Sequence, residues 1–288
     1  MVRVITSVLR YRAALQISPL SLALLFFLVG PVIMIMIMSF YEFTGFMTVP
    51  DATLENYVEL FTSSLTGINY LQTLKMVGIT WVVTLVLGFT LAYFLVFDLI
   101  ELRTKLLLFL LCVVPFWTSS VIRMVAWVPF LGKEGIINKF VLWTGISSEP
   151  LQFLLFSEFA VFLSYIQIFT LFMMAPLFNV MARINRDLIE AARDNGASGI
   201  QILWHVIIPL CKPGIAIGTI FVVSLVASDF AAVSLLGGQR VGTVSISMII
   251  QMNMAQYPPS SATGVILLLV VLLIVGGIMR VVDVRKQL

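Results

Sequence analysis

Six long apolar runs divide this chain of 288 residues, and they constrain its fold more than any other feature. The runs cover residues 18–40, 74–97, 106–130, 151–180, 205–235 and 262–282. A helix needs about 20 mostly apolar residues to cross the hydrocarbon core of a bilayer, where every backbone polar group must find a partner within the protein. The runs therefore predict an all-α, polytopic membrane helix bundle with six transmembrane helices, which occupies residues 18–282.

The amino-acid composition excludes a soluble domain of the same length. Only 11% of the residues are charged, whereas an average soluble domain carries about 25% charged residues. The first run follows Arg3, Arg10 and Arg12, as the apolar part of a secretory signal does. However, its stretch from Leu20 to Met38 is longer than such a part, and no small-residue cleavage site follows. We therefore expect an uncleaved first span.

Basic residues are distributed unevenly between the two sides of such a bundle. With the N-terminus in the cytoplasm, eleven Lys and Arg residues fall on the cytoplasmic side and three on the opposite side. This count leaves out Lys75, Arg123 and Lys212, which lie at or within span ends. Because cytoplasmic loops carry an excess of basic residues, we predict that both termini are cytoplasmic. Residues 1–17 would form an N-terminal segment and residues 283–288 a tail. The loop over residues 41–69, which is acidic and has no base, would lie outside.

The segment between the fourth and fifth runs is highly charged, although both its neighbours are apolar. Its charged residues are Arg183, Arg186, Asp187, Glu190, Arg193 and Asp194. A loop with this much charge and helix propensity, placed on the cytoplasmic side, is suited to contact a partner outside the membrane. The alternative is an interfacial amphipathic element that only anchors the bundle.

The same segment has the pattern of two short helices joined by a turn. Residues 187–195 are compatible with a helix, and Gly196 can adopt the backbone angles that end it and redirect the chain. Ser198 is suited to cap a second helix that continues to Trp204. Pro209 marks the point where this second helix meets the fifth span.

This segment resembles part of a known family. The residues that carry the resemblance are Glu190, Ala191, Ala192, Gly196, Val206, Ile208 and Pro209. Their order and spacing are similar to those in the cytoplasmic loop of permease subunits of bacterial ABC importers, where the last two aliphatic residues are usually Ile and Leu. Val206 and Ile208 depart from this pattern but keep its aliphatic chemistry. The position between the fourth and fifth of six spans agrees with the family.

The resemblance implies a type I ABC importer permease fold. It also implies a cytoplasmic coupling helix within residues 183–204, which we call the coupling loop. Such a helix docks in a groove of a separate ATP-hydrolysing subunit. Glu190 would supply a charged contact with that subunit. Ala191 and Ala192 would permit close approach, and Gly196 would form the turn.

A set of partners is implied as well. They are two copies of an ATP-binding subunit, a second homologous permease subunit and an extracytoplasmic substrate-binding protein. The chain itself would be embedded in the lipid of the bacterial inner membrane. No nucleic acid is expected as a partner. Arg193 and Asp194 would lie at the rim of the contact with the ATP-binding subunit, or simply in solvent.

The residues themselves indicate a non-catalytic subunit. Gly132 and Lys133 lack the rest of a phosphate-binding loop, and His205 is the only histidine. We therefore expect no catalytic residue, no metal site and no cofactor in this chain, with ATP bound by the partner subunits.

Two further stretches, residues 115–123 and 228–238, resemble the spermidine/putrescine permeases, and among these the first of the two permease subunits. The resemblance implies a small cationic substrate. Relatives that carry opines, aminophosphonates or thiamine have similar stretches, so these substrates stay open. A secondary transporter is a further alternative, although the chain has no evident internal repeat of the kind common in that class.

Ionisable residues inside spans are costly and are therefore candidates for a substrate pathway. Glu158 and Asp229 would line this pathway and attract a cation. Trp117 and Phe116 would add cation–π contacts, and Arg123 is the third ionisable residue within a span. Alternatively, Arg123 pairs with Asp229 or reaches the outer interface, while Glu158 faces water. The two aromatic residues would then only pack against other helices.

Prolines within the runs predict kinked helices rather than a static anchor. Pro115 and Pro129 stand in the third run and Pro176 in the fourth. Such breaks are tolerated where a cavity or a neighbouring helix satisfies the freed backbone groups. Residues 236–261 form a predicted outer loop with room for a short re-entrant or interfacial piece.

Overall fold

The computed structural model describes residues 18–19, 21–99, 101–238 and 240–281. The predicted cytoplasmic segments, residues 1–17 and 283–288, lie outside the described residues. In chain order the elements are α1 (Ser21–Met38), β1 (Tyr41–Phe43), β2 (Thr48–Ala52), α2 (Glu55–Thr62), α3 (Ser64–Asp98), α4 (Leu102–Val113), α5 (Ser120–Leu131), α6 (Ile136–Trp143), α7 (Glu158–Met181), α8 (Arg186–Asp194), α9 (Gly199–Ser228), α10 (Ala231–Leu236), α11 (Val244–Asn253) and α12 (Tyr257–Val281).

Five helices in the described part of the chain are long and apolar enough to cross a membrane: α1, α3, α7, α9 and α12. Each corresponds to one of the predicted runs. In several places their ends lie one helical turn or more from the predicted bounds: α3 begins ten residues before its run, whereas α7 begins seven residues inside its run. Glu158, for example, opens α7, whereas residues 151–157 before it are not helical.

The third predicted run is the exception. Residues 106–130 do not form one helix: α4 ends at Val113, a 3₁₀ turn follows over Val114–Trp117, and α5 begins at Ser120. A proline at position 115 supplies no backbone N–H, which favours such a break. The third run is therefore an interrupted helical segment, as the proline at position 115 predicts.

The other two prolines singled out from the sequence do not interrupt their helices. Pro129 lies inside α5 and Pro176 inside α7. Both helices continue past the missing N–H, since only one backbone hydrogen bond is lost at each position. The predicted outer loop over residues 236–261 holds the short apolar helix α11.

The chain forms two compact units. One comprises the described part up to Ser64 together with Met248–Leu268. It contains a two-stranded antiparallel hairpin, β1–β2, within an otherwise helical fold. Asn56 ties this hairpin to α2, because its side-chain amide donates to the carbonyls of Ser39 (3.0 Å) and Tyr41 (2.8 Å). The acidic loop predicted over 41–69 is thus largely ordered secondary structure.

The second unit comprises Leu65–Ser247 and the described part from Leu269 onwards. Its centre is α7, which packs along α9 and contains many fully buried side chains. Met173 lies between two glycines of neighbouring helices: a Cβ on Gly88 would stand 3.0 Å from its Cγ, and one on Gly218 would stand 2.5 Å from its Sδ. Small residues at such contacts let helices approach closely in a membrane.

Side-chain hydrogen bonds join other elements of the second unit. The Thr73 hydroxyl accepts from the backbone N–H of Val244 (3.0 Å), and the Asn69 amide donates to the Ser247 hydroxyl (2.9 Å). The start of α11 is therefore held on α3. These bonds satisfy polar groups that an apolar surrounding would otherwise leave unpaired.

Candidate functional site

The charged helix α8 begins one residue earlier than predicted. Its N-cap is Asn185, whose side-chain oxygen accepts from the backbone N–H of Asp187 (3.1 Å). The side-chain amide of Asn185 also donates to the Asp187 carboxylate (2.9 Å). An asparagine at this position satisfies one of the free N–H groups of the first turn, so the start of α8 is set by its own local sequence.

The end of α8 confirms the predicted role of Gly196. This glycine has φ +81°, in the left-handed region. Its N–H donates to the carbonyl of Arg193 (2.8 Å), and the N–H of Ala197 donates to that of Ala192 (3.0 Å). This pair of bonds is the Schellman motif, in which a glycine reverses the chain and satisfies the last carbonyls of a helix.

The N-cap predicted at Ser198 is also present. Its hydroxyl accepts from the N–H of Gln201 (3.4 Å), and the Gln201 side chain accepts from the N–H of Ser198 (2.8 Å), which completes a capping box. The helix that begins here is not short, however. It continues through a π-helical turn at Leu203–Ile207 into the span, so Pro209 marks no break and α9 is one helix.

The predicted docking residues lie on an open surface. No residue of α8 is buried; Glu190, Ala191, Arg193, Asp194 and Gly196 are exposed and Ala192 is half-buried. Within the residues that the structure describes, no charged side chain of α8 takes part in an ion pair. The charges of this helix therefore remain available to another molecule.

Apolar side chains that sequence reasoning missed accompany these charges. Leu188 on α8 is 50% exposed, and Ile200 and Trp204 on the first turns of α9 are 72% and 62% exposed. Ile200 and Trp204 are four residues apart and thus share a helix face. The sequence could have indicated them, because an aliphatic or aromatic side chain within a charged segment has few apolar neighbours to pack against.

Glu158, the first pathway candidate, is paired. Its carboxylate accepts from the Lys75 ammonium (2.6 Å) and from the Gln72 side-chain amide (2.7 Å), both on α3. Sequence reasoning missed both partners, because Lys75 was set aside as a span-end charge. The signal was present: Gln72 and Lys75 are three residues apart and lie on one face of a helix.

Asp229, the second candidate, connects two helices. It follows the last residue of α9, and its carboxylate accepts from the N–H of Ala232 (2.9 Å), in the first turn of α10. The alternative pairing of Asp229 with Arg123 is not observed: within the described residues, the one ion pair is that of Lys75 with Glu158. Asp229 therefore has no cationic partner in the described part of the chain.

Arg123 lies half-buried on α5, with its guanidinium carbon 5.7 Å from the centre of the Phe116 ring. Two of its nitrogens, Nε and Nη1, are shielded from solvent and have no hydrogen-bond partner among the described residues. Phe116 also packs edge-to-face on Phe172, with centroids 4.9 Å apart. Trp117 differs from Phe116, because 82% of its surface is exposed.

A large apolar cavity is lined both by Phe116 and by residues of the coupling loop. It measures about 990 Å³ and is lined by Phe116, Phe172, Pro176, Arg183, Leu188 and Phe221, among others. Its walls thus extend from the third predicted run, through α7 and α9, to the coupling loop. Of the five pathway candidates, Phe116 is the one that lines this cavity.

Comparison with known proteins gives a consistent picture. Residues 84–287 match the family described as "binding-protein-dependent transport system inner membrane component". The chain is 36% identical to the spermidine/putrescine transport system permease protein PotB of Salmonella typhi over 230 residues, which cover 77% of this chain and 79% of that protein.

Two solved structures share the fold. One is a bacterial ABC transporter involved in the import of the acidic polysaccharide alginate (TM-score 0.80, 21% identity, covering 97% of this chain and 98% of that one). The other is the alginate transporter in complex with an alginate-bound periplasmic protein (TM-score 0.78, 20% identity, covering 96% and 95%). At this identity the likeness shows the fold alone.

Proposed function

We propose, on the premise that this chain belongs to the family of inner membrane components of binding-protein-dependent transport systems, that it is the permease subunit of an ATP-driven polyamine importer. The observation that carries this proposal is its 36% identity to a spermidine/putrescine permease across 77% of the chain. As a member of its family, the chain is a non-catalytic, multi-pass membrane subunit.

The coupling loop is the proposed contact with the ATP-binding subunit. Its helix α8 is capped at both ends by local hydrogen bonds and exposes its charges. A short helix of this kind moves as a rigid body and transmits displacement without deforming. Glu190 supplies the charged contact, Ala191 and Ala192 permit close approach, and Gly196 keeps the turn. Closure of two ATP-binding subunits would pull on α8 and open the bundle outwards.

The orientation of the chain and its assembly follow from the proposed contact between the coupling loop and the ATP-binding subunit. The coupling loop must lie in the cytoplasm to reach an ATP-binding subunit. With the interrupted third run counted as a span, four spans precede the loop and two follow it, so both termini lie in the cytoplasm as well. A second, homologous permease completes the pathway, and an extracytoplasmic binding protein delivers the substrate, as a periplasmic protein does in the alginate transporter. The exposed apolar side chains of α1, none of which is buried, suit contact with lipid.

The substrate is proposed to be a small polyamine that carries primary ammonium groups. Asp229 supports this proposal, because it is a carboxylate next to the end of a span and has no cationic partner among the described residues. Glu158, Trp117, Phe116 and Arg123 are the other proposed pathway residues. The fold alone does not select a cation, since a transporter of the same fold imports an acidic polysaccharide; the charge of these side chains has to do so.

Uptake by the assembled transporter tests the proposal. This chain, its ATP-binding subunit, the second permease and the binding protein are reconstituted in liposomes, and uptake of radiolabelled putrescine and spermidine is measured with and without ATP. We expect ATP-dependent uptake of both amines, and no competition from 1,4-butanediol, the uncharged analogue of putrescine. Uptake that is independent of ATP, or absent for both amines, would contradict the proposal.

A further inference from the structure

Lys75, Gln72 and Glu158 form a polar cluster between α3 and α7, which we call the Lys75 cluster. The Lys75 ammonium lies 2.6 Å from one carboxylate oxygen of Glu158, and the Gln72 amide nitrogen lies 2.7 Å from the other. Both oxygens are therefore occupied by donors from one face of α3. The cluster joins two membrane-spanning helices at residues that are 83 positions apart.

The cluster is open to its surroundings. The side chains of Lys75 and Glu158 remain 49% and 41% exposed. A charged pair at this exposure contributes little to stability, because water and other ions compete with each partner. The same openness allows a second cation to reach the Glu158 carboxylate.

The group that Glu158 holds is a primary ammonium on a flexible alkyl stem. A lysine side chain ends in a compact, strongly hydrated point charge with three rotatable donors. An alkylamine ends in the same chemical group. The Glu158 carboxylate, which also accepts from the Gln72 amide, accepts from the end of Lys75 and can therefore accept from the end of an alkylamine as well.

We propose that the Glu158 carboxylate, held in place by Gln72, forms a binding site for a primary ammonium group, and that Lys75 occupies this site until a substrate ammonium displaces it. Two ammonium groups cannot both take the short contact with one carboxylate oxygen, since like charges at that separation repel. Arrival of the substrate therefore releases Lys75 and breaks the tie between α3 and α7. The identity of the substrate rests on the proposed function, whereas the chemistry of the site does not.

The experiment removes the Lys75 ammonium from the site and measures which added cation binds there in its place. The assembled transporter carrying Lys75→Ala is reconstituted in lipid nanodiscs, and its thermal unfolding is followed against increasing butylammonium chloride. Tetramethylammonium chloride at equal ionic strength is the comparison, because it has the same charge but no N–H donor. We expect butylammonium, but not tetramethylammonium, to raise the melting temperature saturably, by about 2 °C or more.

Three controls locate the effect. The wild type should show a smaller rise that needs a higher concentration of butylammonium, because the added cation must displace Lys75. Lys139→Ala, which removes an exposed lysine of α6, should behave like the wild type. Lys75→Ala combined with Glu158→Gln should lose the rise. If Lys75→Ala does not assemble, Lys75→Ser provides the same empty site.

Several results would overturn the inference. They are an equal response to both cations, a rise that survives Glu158→Gln, or no rise in either Lys75 variant. None of these depends on polyamine transport. A transporter that fails to import polyamines but binds butylammonium in the Lys75→Ala variant would refute the proposed function and leave this site in place.

Discussion

The coupling loop and the Lys75 cluster are both charged and both exposed, yet they hold their charges in opposite ways. The charges of α8 have no ion-pair partner within the described residues, whereas Glu158 has its two oxygens filled by Lys75 and Gln72. An unpaired charge on a rigid helix suits a permanent contact with another protein. A paired but accessible charge suits exchange, in which one cation replaces another.

The geometry of the two regions also has different origins. Neighbours in sequence shape α8, through the Asn185 cap and the turn at Gly196. The Lys75 cluster depends on helix packing, because its members come from two helices. Changes to the coupling loop should therefore act on the link to the ATP-binding subunit, and changes to the cluster should act on the handling of cations.

Charge reversal at Glu190 should have the largest effect. Glu190→Lys places a repulsive charge at the proposed contact, and we expect ATP-driven uptake to fall about 10- to 100-fold. The chain itself should fold normally, because Glu190 is exposed. Glu134→Lys, at an exposed residue outside the coupling loop, is the matched control. Unchanged uptake by Glu190→Lys would remove this residue from the contact.

Neutralising Asp229 should have the next largest effect. An asparagine can still accept from the N–H of Ala232, so Asp229→Asn keeps the cap of α10 and removes only the charge. We expect polyamine uptake to fall about tenfold, because a carboxylate in a poorly solvated pathway attracts a cation strongly. Radiolabelled uptake measures this, with Glu158→Gln in parallel. Normal uptake in both variants would exclude carboxylate attraction as the basis of selectivity.

A methyl group at Gly196 should have a moderate effect. A Cβ there meets no atom within 4 Å, so the cost of Gly196→Ala comes from the left-handed backbone alone, about 1 kcal/mol. This cost lowers the equilibrium constant for forming the turn about fivefold. We expect ATP-driven uptake to fall as a result. Gly199→Ala is the control, because Gly199 also has open space but no positive φ. Equal effects of the two substitutions would contradict the role of the turn.

Removal of Lys75 should change stability least. The pair is half-exposed, so we expect Lys75→Ala to change the free energy of unfolding by less than about 1 kcal/mol. Thermal unfolding of the assembled transporter measures this, with Lys139→Ala as reference. If Lys75→Ala fails to assemble while Lys139→Ala assembles normally, the cluster holds α3 and α7 together. Its charges would then serve stability rather than the exchange of cations.

Local interactions explain which parts of this molecule could be predicted. Apolar runs mark five long helices, because burial of backbone polar groups in lipid leaves a spanning segment little choice. Gly196 and Ser198 mark the ends of two helices, because a left-handed turn and a capping box need those residue types. Exposed positions of the docking residues follow from their charge.

Features that depend on competition between local and distant contacts were not predicted. The stretch from Ser198 to Trp204 was predicted as a separate short helix, yet it continues through a π-helical turn into the span. Pro115 and Pro129 both predict an interruption of the third run, yet it breaks at Val114–Trp117 and continues past Pro129. In each case hydropathy and residue type allow both outcomes, and packing within the folded chain selects one.

Residue types and their local order are enough to predict that this chain crosses a membrane repeatedly and presents one capped, charged helix between its fourth and fifth runs. Those properties arise from hydrophobicity and from hydrogen bonds between near neighbours. The folded structure was needed to show that Glu158 is held by Lys75 and Gln72, that Asp229 has no cationic partner among the described residues, and that Phe116 is the one pathway candidate that lines the large cavity. Such pairings depend on how distant helices pack, and residue type alone does not determine that.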